Sequence, residues 1–491
     1  MVSNRILVRF APEINIKSPR VKLDFLRRLK RNLRSALDKG GFKFSIEGDW
    51  TRLFIHTDDL GVLEAGSRVF GISSLAPLDF TTEPTLQAME AGVTAHYATA
   101  VAQRSFAVRA RRTRVEGFTS VDVEQRLGAV LYPFARGVDL KNPEVSIQVE
   151  VRPEGAHFFT RRVLGPGGLP LGVEGRVLVL ISGGFDSAAA SWLMMKRGVS
   201  VDYCFFNLAG AAHERSVLAV AQNLAANWGH GEGSQFCVVD FTGVVAAIQK
   251  DAKAAYNQVV LKRMMLSAAE GLVALNPGRG YAAIVTGESI GQVSSQTLHN
   301  IAAINDASSV PVLRPLLCFD KEEILDLSRR IGTFALSACV REYCSITQGR
   351  PVTQASAARA RAETVLIDPS LVPTALGHRR SMDLRNIDLS RMGCDYLFAD
   401  DVPEGAAVVD LREAYQFAAW HYPGARHLPI DILFEDLSNL PKNRTYILYC
   451  PFGLKSAVAA ERLQRLGYEA YGFKGGTKAL RATLVEDEAW T

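Results

Sequence analysis

Residues 176–187 read RVLVLISGGFDS, an unbroken apolar run that gives way to two glycines and small polar residues and is followed directly by AAASWLMMKRG. A continuous run of this kind predicts a strand buried on both faces, as in a parallel sheet, and the residues behind it predict a helix. Small residues between the two let backbone amides approach a phosphate, and the positive end of the helix favours its charge. Ser182, Gly183, Gly184, Phe185, Asp186 and Ser187 are therefore expected to form a pyrophosphate cradle, with the Ser182 and Ser187 hydroxyls as additional donors. The loop does not end in Gly-Lys-Ser/Thr, so transfer of a terminal phosphate is not indicated. A plain strand-to-helix turn is the competing explanation of the six residues taken alone.

Outward from this stretch the same texture recurs. VDYCFFNL (201–208), QFCVVDF (235–241) and YAAIVTG (281–287) are strand-like, with helical patterns between them. That alternation predicts a doubly wound α/β domain whose sites lie at the carboxyl ends of its strands. On the N-terminal side, residues 4–10 read as a strand. Leu23, Leu26, Leu29, Leu33 and Leu37 recur at helical spacing before Gly40-Gly41. FKFSIEG and TRLFIHT follow as strands, 60–69 as a helix and 72–78 as a strand, the β-α-β-β-α-β order of a ferredoxin-like module. A second small α/β module is expected from a helix after Thr85, the strand SFAVRARRTR with Phe106, Val108 and Ala110 on one face, a helix over 120–131 and strands VSIQVEV and AHFFTRRV. The glycine- and proline-rich GPGGLPLG marks its exit. Residues 357–391 read as polar and indistinct, and the last hundred residues restart as a smaller α/β unit with AVVDLR and TYILYC as strands. The expected domains are 1–80, 81–172, 173–375 and 399–491, with a linker over 376–398.

A chain of 491 residues is long enough for several domains, and 48% hydrophobic with 22% charged residues excludes disordered, collagenous and disulfide-scaffold classes. The opening MVSNRILVRF does not read as an export signal and no stretch approaches about eighteen uninterrupted apolar residues, so a cytosolic protein with no membrane association is expected. Seven cysteines without CxxC spacing suggest neither a zinc site nor a disulfide framework. Residues 1–172 carry 25 Lys+Arg against 18 Asp+Glu, while the remainder carries 31 against 33. The basic excess thus lies in the N-terminal third, where a polyanionic partner or a solvated basic face would account for it. Arg109, Arg111, Arg112 and Arg114 are the strongest candidates for contact with such a partner. Lys22, Arg27, Arg28, Lys30, Arg31 and Arg34 sit where a helix could carry them as its wet face.

A second loop stands out near the C-terminus. Cys450-Pro-Phe-Gly-Leu-Lys-Ser456 follows the apolar strand TYILY and precedes the helical AVAAERLQRLG. A thiol placed there faces backbone amides and a helix N-terminus, which suits a nucleophile; a buried strand-end cysteine is the alternative. His213 has no second ligand at suitable spacing, so a packed or hydrogen-bonded histidine is favoured over a metal ligand, and no metal site is expected.

SGGFDS resembles the PP-loop of the ATP pyrophosphatases, which cleave ATP to AMP and pyrophosphate to adenylate a carbonyl oxygen. CFFNLAGAAHE (204–214), VTGESIGQVSSQTL (285–298), LRPLLCFDKEEI (313–324) and EYCSITQGRPVT (342–353) are similar, in order and spacing, to the blocks of the ThiI family of tRNA 4-thiouridine synthetases. VVDLREAYQFAAWHYPGARHLPI, with Asp410 and Arg412, resembles the opening of a rhodanese-like domain, found only in the longer form of that family. The resemblance implies a multidomain α/β chain of a ferredoxin-like module, a THUMP RNA-binding domain, a PP-loop adenylation domain and a rhodanese-like domain. It implies ATP and magnesium (Mg2+) as cofactors, with Asp186 handling nucleotide or magnesium and Lys321 close to the phosphates. Gly287, Glu288 and Gln292 would line the nucleotide pocket, although a strand-ending turn also explains Gly287. Cys450 would carry a persulfide and Cys344 would resolve the intermediate through a transient disulfide, with Cys339 five residues away as a second candidate thiol.

The implied reaction is ATP-dependent sulfur insertion at uridine 8 of tRNA, with a PLP-dependent cysteine desulfurase as sulfur donor. Sulfur relay to thiamine thiazole synthesis, through the thiamine sulfur-carrier protein, is the alternative activity, and a non-catalytic tRNA-binding scaffold is an alternative of another class. The family also implies a homodimer.

Overall fold

The computed structural model describes residues 4–48, 50–340, 350–387, 395–435 and 437–488. It divides into two compact units. In the first, β1 (Arg5–Phe10), β2 (Ser45–Gly48), β3 (Leu53–His56) and β4 (Ile72–Pro77) form an antiparallel sheet in the order 4-1-3-2. Helix Pro19–Lys39 crosses it because Phe25, Leu26, Leu29, Leu33 and Leu37 recur on one face and are buried. Proline at its first position supplies the fixed φ a helix start needs, and Gly40 takes the C-cap. With helix Val62–Gly66 between β3 and β4, the order is the ferredoxin-like one.

A second sheet of the same unit orders β5 (Phe80–Thr82), β6 (Ser105–Arg112), β7 (Gly137–Val138), β8 (Val145–Arg152) and β9 (Gly155–Phe159) as 5-9-8-6-7. Strand β6 was expected to alternate, but Phe106, Ala107 and Val108 are all buried. It is an inner strand, paired with β8 and β7 along its two edges, and its first half is buried throughout, so alternation appears only where the arginines begin. Strand β10 (Val163–Leu164), which the sequence grouped with the second module, pairs instead with β4 at the edge of the first sheet.

In the second unit, β11 (Arg176–Leu180), β12 (Ser200–Asn207), β13 (Gln235–Asp240), β14 (Tyr281–Val285) and β15 (Val312–Leu313) form a parallel sheet, extended by β16 (Arg380–Asp383) to the order 15-14-11-12-13-16. The chain runs outward from β11 through β12 and β13, then returns to β14 on the other side. The carboxyl ends of β11 and β14 therefore border the crevice where such sheets bind ligands. The stretch 357–387, polar and indistinct in sequence and expected as linker from 376 onward, is part of this fold. It holds helices Ala357–Val365 and Leu371–Gly377, and β16 pairs antiparallel with β13. Buried Ala360, Ile367 and Leu376 anchor this stretch to the main core, with Leu371, Val372 and Ala375 packed against it.

The same unit contains the all-parallel sheet of β17 (Phe398–Ala399), β18 (Ala407–Asp410), β19 (Arg426–His427), β20 (Thr445–Tyr449) and β21 (Glu469–Phe473), ordered 17-21-20-18-19. Helix Leu454–Arg465 follows β20 directly. Among the described residues, no helix is long and apolar enough to cross a membrane.

Candidate active site

The glycine loop after β11 turns through Gly183, whose φ of +77° favours glycine and whose Cβ position would lie 3.1 Å from Val217 and Val340. Helix Phe185–Lys196 starts immediately, so its unpaired amides open at the mouth of the loop. Ser187 Oγ donates to the Gly184 carbonyl at 3.2 Å and lies 3.3 Å from Ser182 Oγ, which gathers both hydroxyls at the cradle. Asp186 reaches out of the first helical turn. One carboxylate oxygen accepts from Lys321 Nζ at 3.0 Å and the other from Gln292 Nε2 at 2.8 Å. Lys321 is indeed the first residue of a helix, Lys321–Ile331, with a capping box between Asp320 and Glu323. The capped helix aims this lysine at Asp186 and over the Phe185 ring, 5.4 Å from the centroid.

A cavity of about 440 Å³ opens beside this cluster, lined among others by Ser182, Asp186, Ser187, Gly287 and Glu288. Gly287 is more than a turn residue. A Cβ there would come within 2.7 Å of the Asp186 and Ser187 backbone, so the end of β14 is pressed directly against the cradle. Glu288 is buried, with one oxygen 2.8 Å from Lys262 Nζ and the other 2.8 Å from Arg314 Nε. Burial alone would raise its carboxyl, but the two cations outweigh that and pull it down to about 2. His213 lines the same cavity, edge-on to Phe205 at 5.0 Å, and burial pushes it down to about 4, so it is neutral at physiological pH. No group of three or more His, Cys, Asp or Glu side chains that could hold a metal occurs among the described residues.

Cys450 directly follows β20 and is fully buried. The Ser456 amide donates to its Sγ at 3.4 Å, with Ser456 Oγ at 3.6 Å, and Gly453 turns the loop at a φ of +74°. Asp410 and Arg412, the other marks of this module, form a buried two-oxygen pair whose shorter contact is 2.6 Å. Cys339 packs with Ala219 and Leu454, the fourth residue beyond Cys450. Burial, reinforced by the nearby Cys450 sulfur, pushes its thiol up to about 12, and Sγ donates to the Ala335 carbonyl at 3.2 Å. A thiol raised this far is mainly protonated near neutral pH. Its neighbour Val340 touches the Gly183 position, and Phe334 packs on Phe185 at 5.2 Å. The segment 334–340 thus bridges the glycine loop and the cysteine loop. Cys344 lies outside the described residues.

In the first unit, Arg109, Arg111, Arg112 and Arg114 are all exposed at the end of β6, with Arg109 donating to the Leu140 carbonyl at 2.7 Å. Arg114 also lines a cavity of about 350 Å³ with Arg52 and Arg152. Arg9, Arg52 and Arg152 converge on the buried Glu150 at 2.8, 2.8 and 2.7 Å. Part of the basic helix is structurally committed, since Arg28 and Arg31 both pair with Glu232.

The family model described as Thiamine biosynthesis protein (ThiI) matches residues 172–367. A ThiI ferredoxin-like domain matches 5–76, a THUMP domain 83–161 and a rhodanese-like domain 398–483, so each of the four module types expected from sequence is found. The tRNA sulfurtransferase of Desulfurococcus amylolyticus is 35% identical over 481 residues, covering 97% of this chain and 98% of the relative. The chain belongs to the ThiI family of tRNA sulfurtransferases. Its relative from Marinobacter nauticus is 34% identical, covering 94% of this chain and 98% of the relative. Among solved structures, a 4-thiouridine synthetase–RNA complex with bound ATP is similar at 28% identity with a TM-score of 0.64, covering 77% of this chain and 99% of that one. PH1313 from Pyrococcus horikoshii shares the fold at 24% identity and a TM-score of 0.51.

Several lining residues of this ThiI-family site escaped the sequence reading. Lys262, Gln258, Ser295 and Gln296 all face the cavity, and the buried Ser295 Oγ and Gln296 Oε1 have no hydrogen-bond partner among the described residues. Lys262-Arg263 between the apolar runs Val259–Leu261 and Met264–Leu266 of helix Asn257–Leu275 was the available signal, a charged pair that must find carboxylates once buried. Lys262 finds Glu288, and Arg263 finds Asp306.

Proposed function

We propose that this chain makes 4-thiouridine at position 8 of tRNA, using ATP to activate the base and a persulfide on Cys450 to supply sulfur. The observation that carries the reading is the bridge 334–340, which packs against both the glycine loop and the cysteine loop and so supports activation and sulfur donation from one compact unit. The uridine C4 oxygen attacks the α-phosphorus of ATP, the bond to pyrophosphate breaks, and the base loses its N3 proton. The helix start at Phe185 and the Ser182 and Ser187 hydroxyls suit the departing pyrophosphate, and Lys321 offsets its charge. Magnesium fits Asp186, since such ions commonly take one or two carboxylates and complete their shell with phosphate and water. When bound it neutralises phosphate charge.

The terminal sulfur of the Cys450 persulfide then attacks C4 and AMP leaves. A thiolate at Cys344 attacks Cys450 Sγ, breaking the S–S bond to the base, releasing 4-thiouridine and leaving a Cys344–Cys450 disulfide for a thiol reductant. Tethering the nucleophile beside the activated base replaces scarce free sulfide with an intramolecular reaction. A PLP-dependent cysteine desulfurase would regenerate the persulfide. The exposed arginines of β6 and the Arg52–Arg114–Arg152 cavity suit backbone contacts to tRNA, and the similar structure's RNA complex supports that assignment.

The test is incubation with ATP, magnesium, cysteine, a desulfurase and unmodified tRNA, following the near-ultraviolet absorbance of thiouridine. Activity lost in both Asp186→Ala and Cys450→Ser is the expected result. Thiolation that survives Asp186→Ala would overturn the activation step. The family description as a thiamine biosynthesis protein, with the rhodanese-like match, supports a second use of Cys450 as sulfur relay. In that case Cys450→Ser abolishes thiazole formation while Asp186→Ala does not.

A further inference from the structure

Helix Ala211–Trp228 begins at Gly210 with a φ of +108° and no side-chain cap from its own segment. The cap comes from 250 residues downstream, as Glu461 on helix Leu454–Arg465 accepts from the Ala211 amide at 3.3 Å and the Ala212 amide at 3.1 Å. Its carboxylate is largely buried and is held from behind by Arg465 at 2.8 Å. The Gly210 position directly faces both the Glu461 carboxylate and the Arg465 guanidinium, so a side chain there would displace them. Around this polar contact, Ala212 packs with Leu397, Ala457 and Val458, and the Arg215 guanidinium lies 4.3 Å over the Phe398 ring.

The helix so capped starts at the rim of the nucleotide cavity, which Leu208 and His213 line. The rim itself is held by Asn207, whose Oδ1 accepts from the Ala209 and Gly210 amides at 3.1 and 2.9 Å. Glu461 is therefore redundant for the shape of the rim. What it adds is attachment of the cysteine module, because a negative carboxylate at a helix N-terminus binds both the orphan amides and the helix dipole.

We propose that Glu461 is the latch that seats the cysteine module on the nucleotide module, a positioning residue that holds the Cys450 loop beside the glycine loop during sulfur transfer. The proposal rests on the sulfurtransferase reading above. It assigns Glu461 to the delivery step and leaves ATP binding and persulfide loading to other residues.

The full chain carrying Glu461→Ala or Glu461→Gln tests this in two independent ways. Amide hydrogen exchange, measured without substrates, is expected to speed up about tenfold at Ala211 and Ala212 in Glu461→Ala, which corresponds to roughly 1.4 kcal/mol. Glu461→Gln, which keeps an acceptor oxygen but no charge, should fall between that variant and the parent. In the thiolation assay, kcat is expected to drop about tenfold, while the KM for ATP and the cyanide-releasable sulfur on Cys450 stay within twofold. Asn207→Ala should do the reverse, raising the KM for ATP. Unchanged exchange at both amides, or unchanged kcat in an active enzyme, overturns the latch. If Glu461→Ala loses protection throughout β20 it has misfolded, and the nearly isosteric Glu461→Gln decides. A parent chain that fails to thiolate tRNA sinks the functional reading, while the exchange result still judges the contact.

Discussion

Glu288→Gln removes one negative charge from between two cations without changing the shape of the side chain. In the parent protein the carboxyl falls from an ordinary 4.5 to about 2. A shift of that size corresponds to roughly 3 kcal/mol in favour of the charged form. Breaking a buried pair by removing one partner costs about 3–5 kcal/mol, and glutamine sits at the lower end because its amide oxygen still accepts from one cation. Lys262 and Arg314, both largely buried, are left without a counter-charge. The chain has several modules, so a single unfolding midpoint is not a clean readout. Amide exchange in β14, the strand leading to Glu288, reports the nucleotide module alone. About 3 kcal/mol at neutral pH should accelerate it roughly 100-fold. The sign with pH follows from the lowered carboxyl. The stabilisation is complete above about pH 4.5 and disappears as pH falls toward 2, so the gap between parent and variant should shrink by more than half by about pH 3. Acceleration below about tenfold at neutral pH, or a gap that persists undiminished in acid, would refute the claim that this carboxylate is the electrostatic keystone of the cavity.

Gly287→Ala should raise the KM for ATP by about tenfold or more, because its methyl group meets the Asp186–Ser187 backbone at 2.7 Å and must push the cradle from the end of β14; steady-state kinetics checks this. The pair Arg111→Ala and Arg112→Ala should each weaken tRNA binding across sequences. If each arginine neutralises one phosphate, the slope of log affinity against log salt should flatten by roughly one per substitution, as read by filter binding across a salt series.

The parts of this molecule legible in the sequence were those with dense local signal. The apolar run before SGGFDS and the leucine period of residues 19–39 each specify an element by themselves, and the structure carries both. Strand β16 was hidden because an antiparallel edge strand has one covered side, and four residues reading RSMD show no alternation. The second layer of the nucleotide site was hidden for a different reason. Lys262, Glu288 and Arg314 lie on three separate elements, and only folding reveals that each cation is there for the same carboxylate. Likewise, Glu461 reads as an ordinary exposed helix charge until the start of another helix is seen against it.

The enclosure of Cys450 has a consequence for how reactive sulfur is kept. A thiol with no accessible surface is shielded from dissolved thiols and oxidants, and the persulfide of the proposed function would add a further sulfur atom to this enclosed position. Forcing an extra atom of this size into a packed interior costs on the order of 1–3 kcal/mol unless the walls move. One wall here is a short glycine-hinged turn, Pro451 to Lys455, with Phe452 half-exposed. Under the proposed function, loading Cys450 with sulfur would therefore favour an outward displacement of this turn, and the unloaded cysteine would favour the turn as it stands.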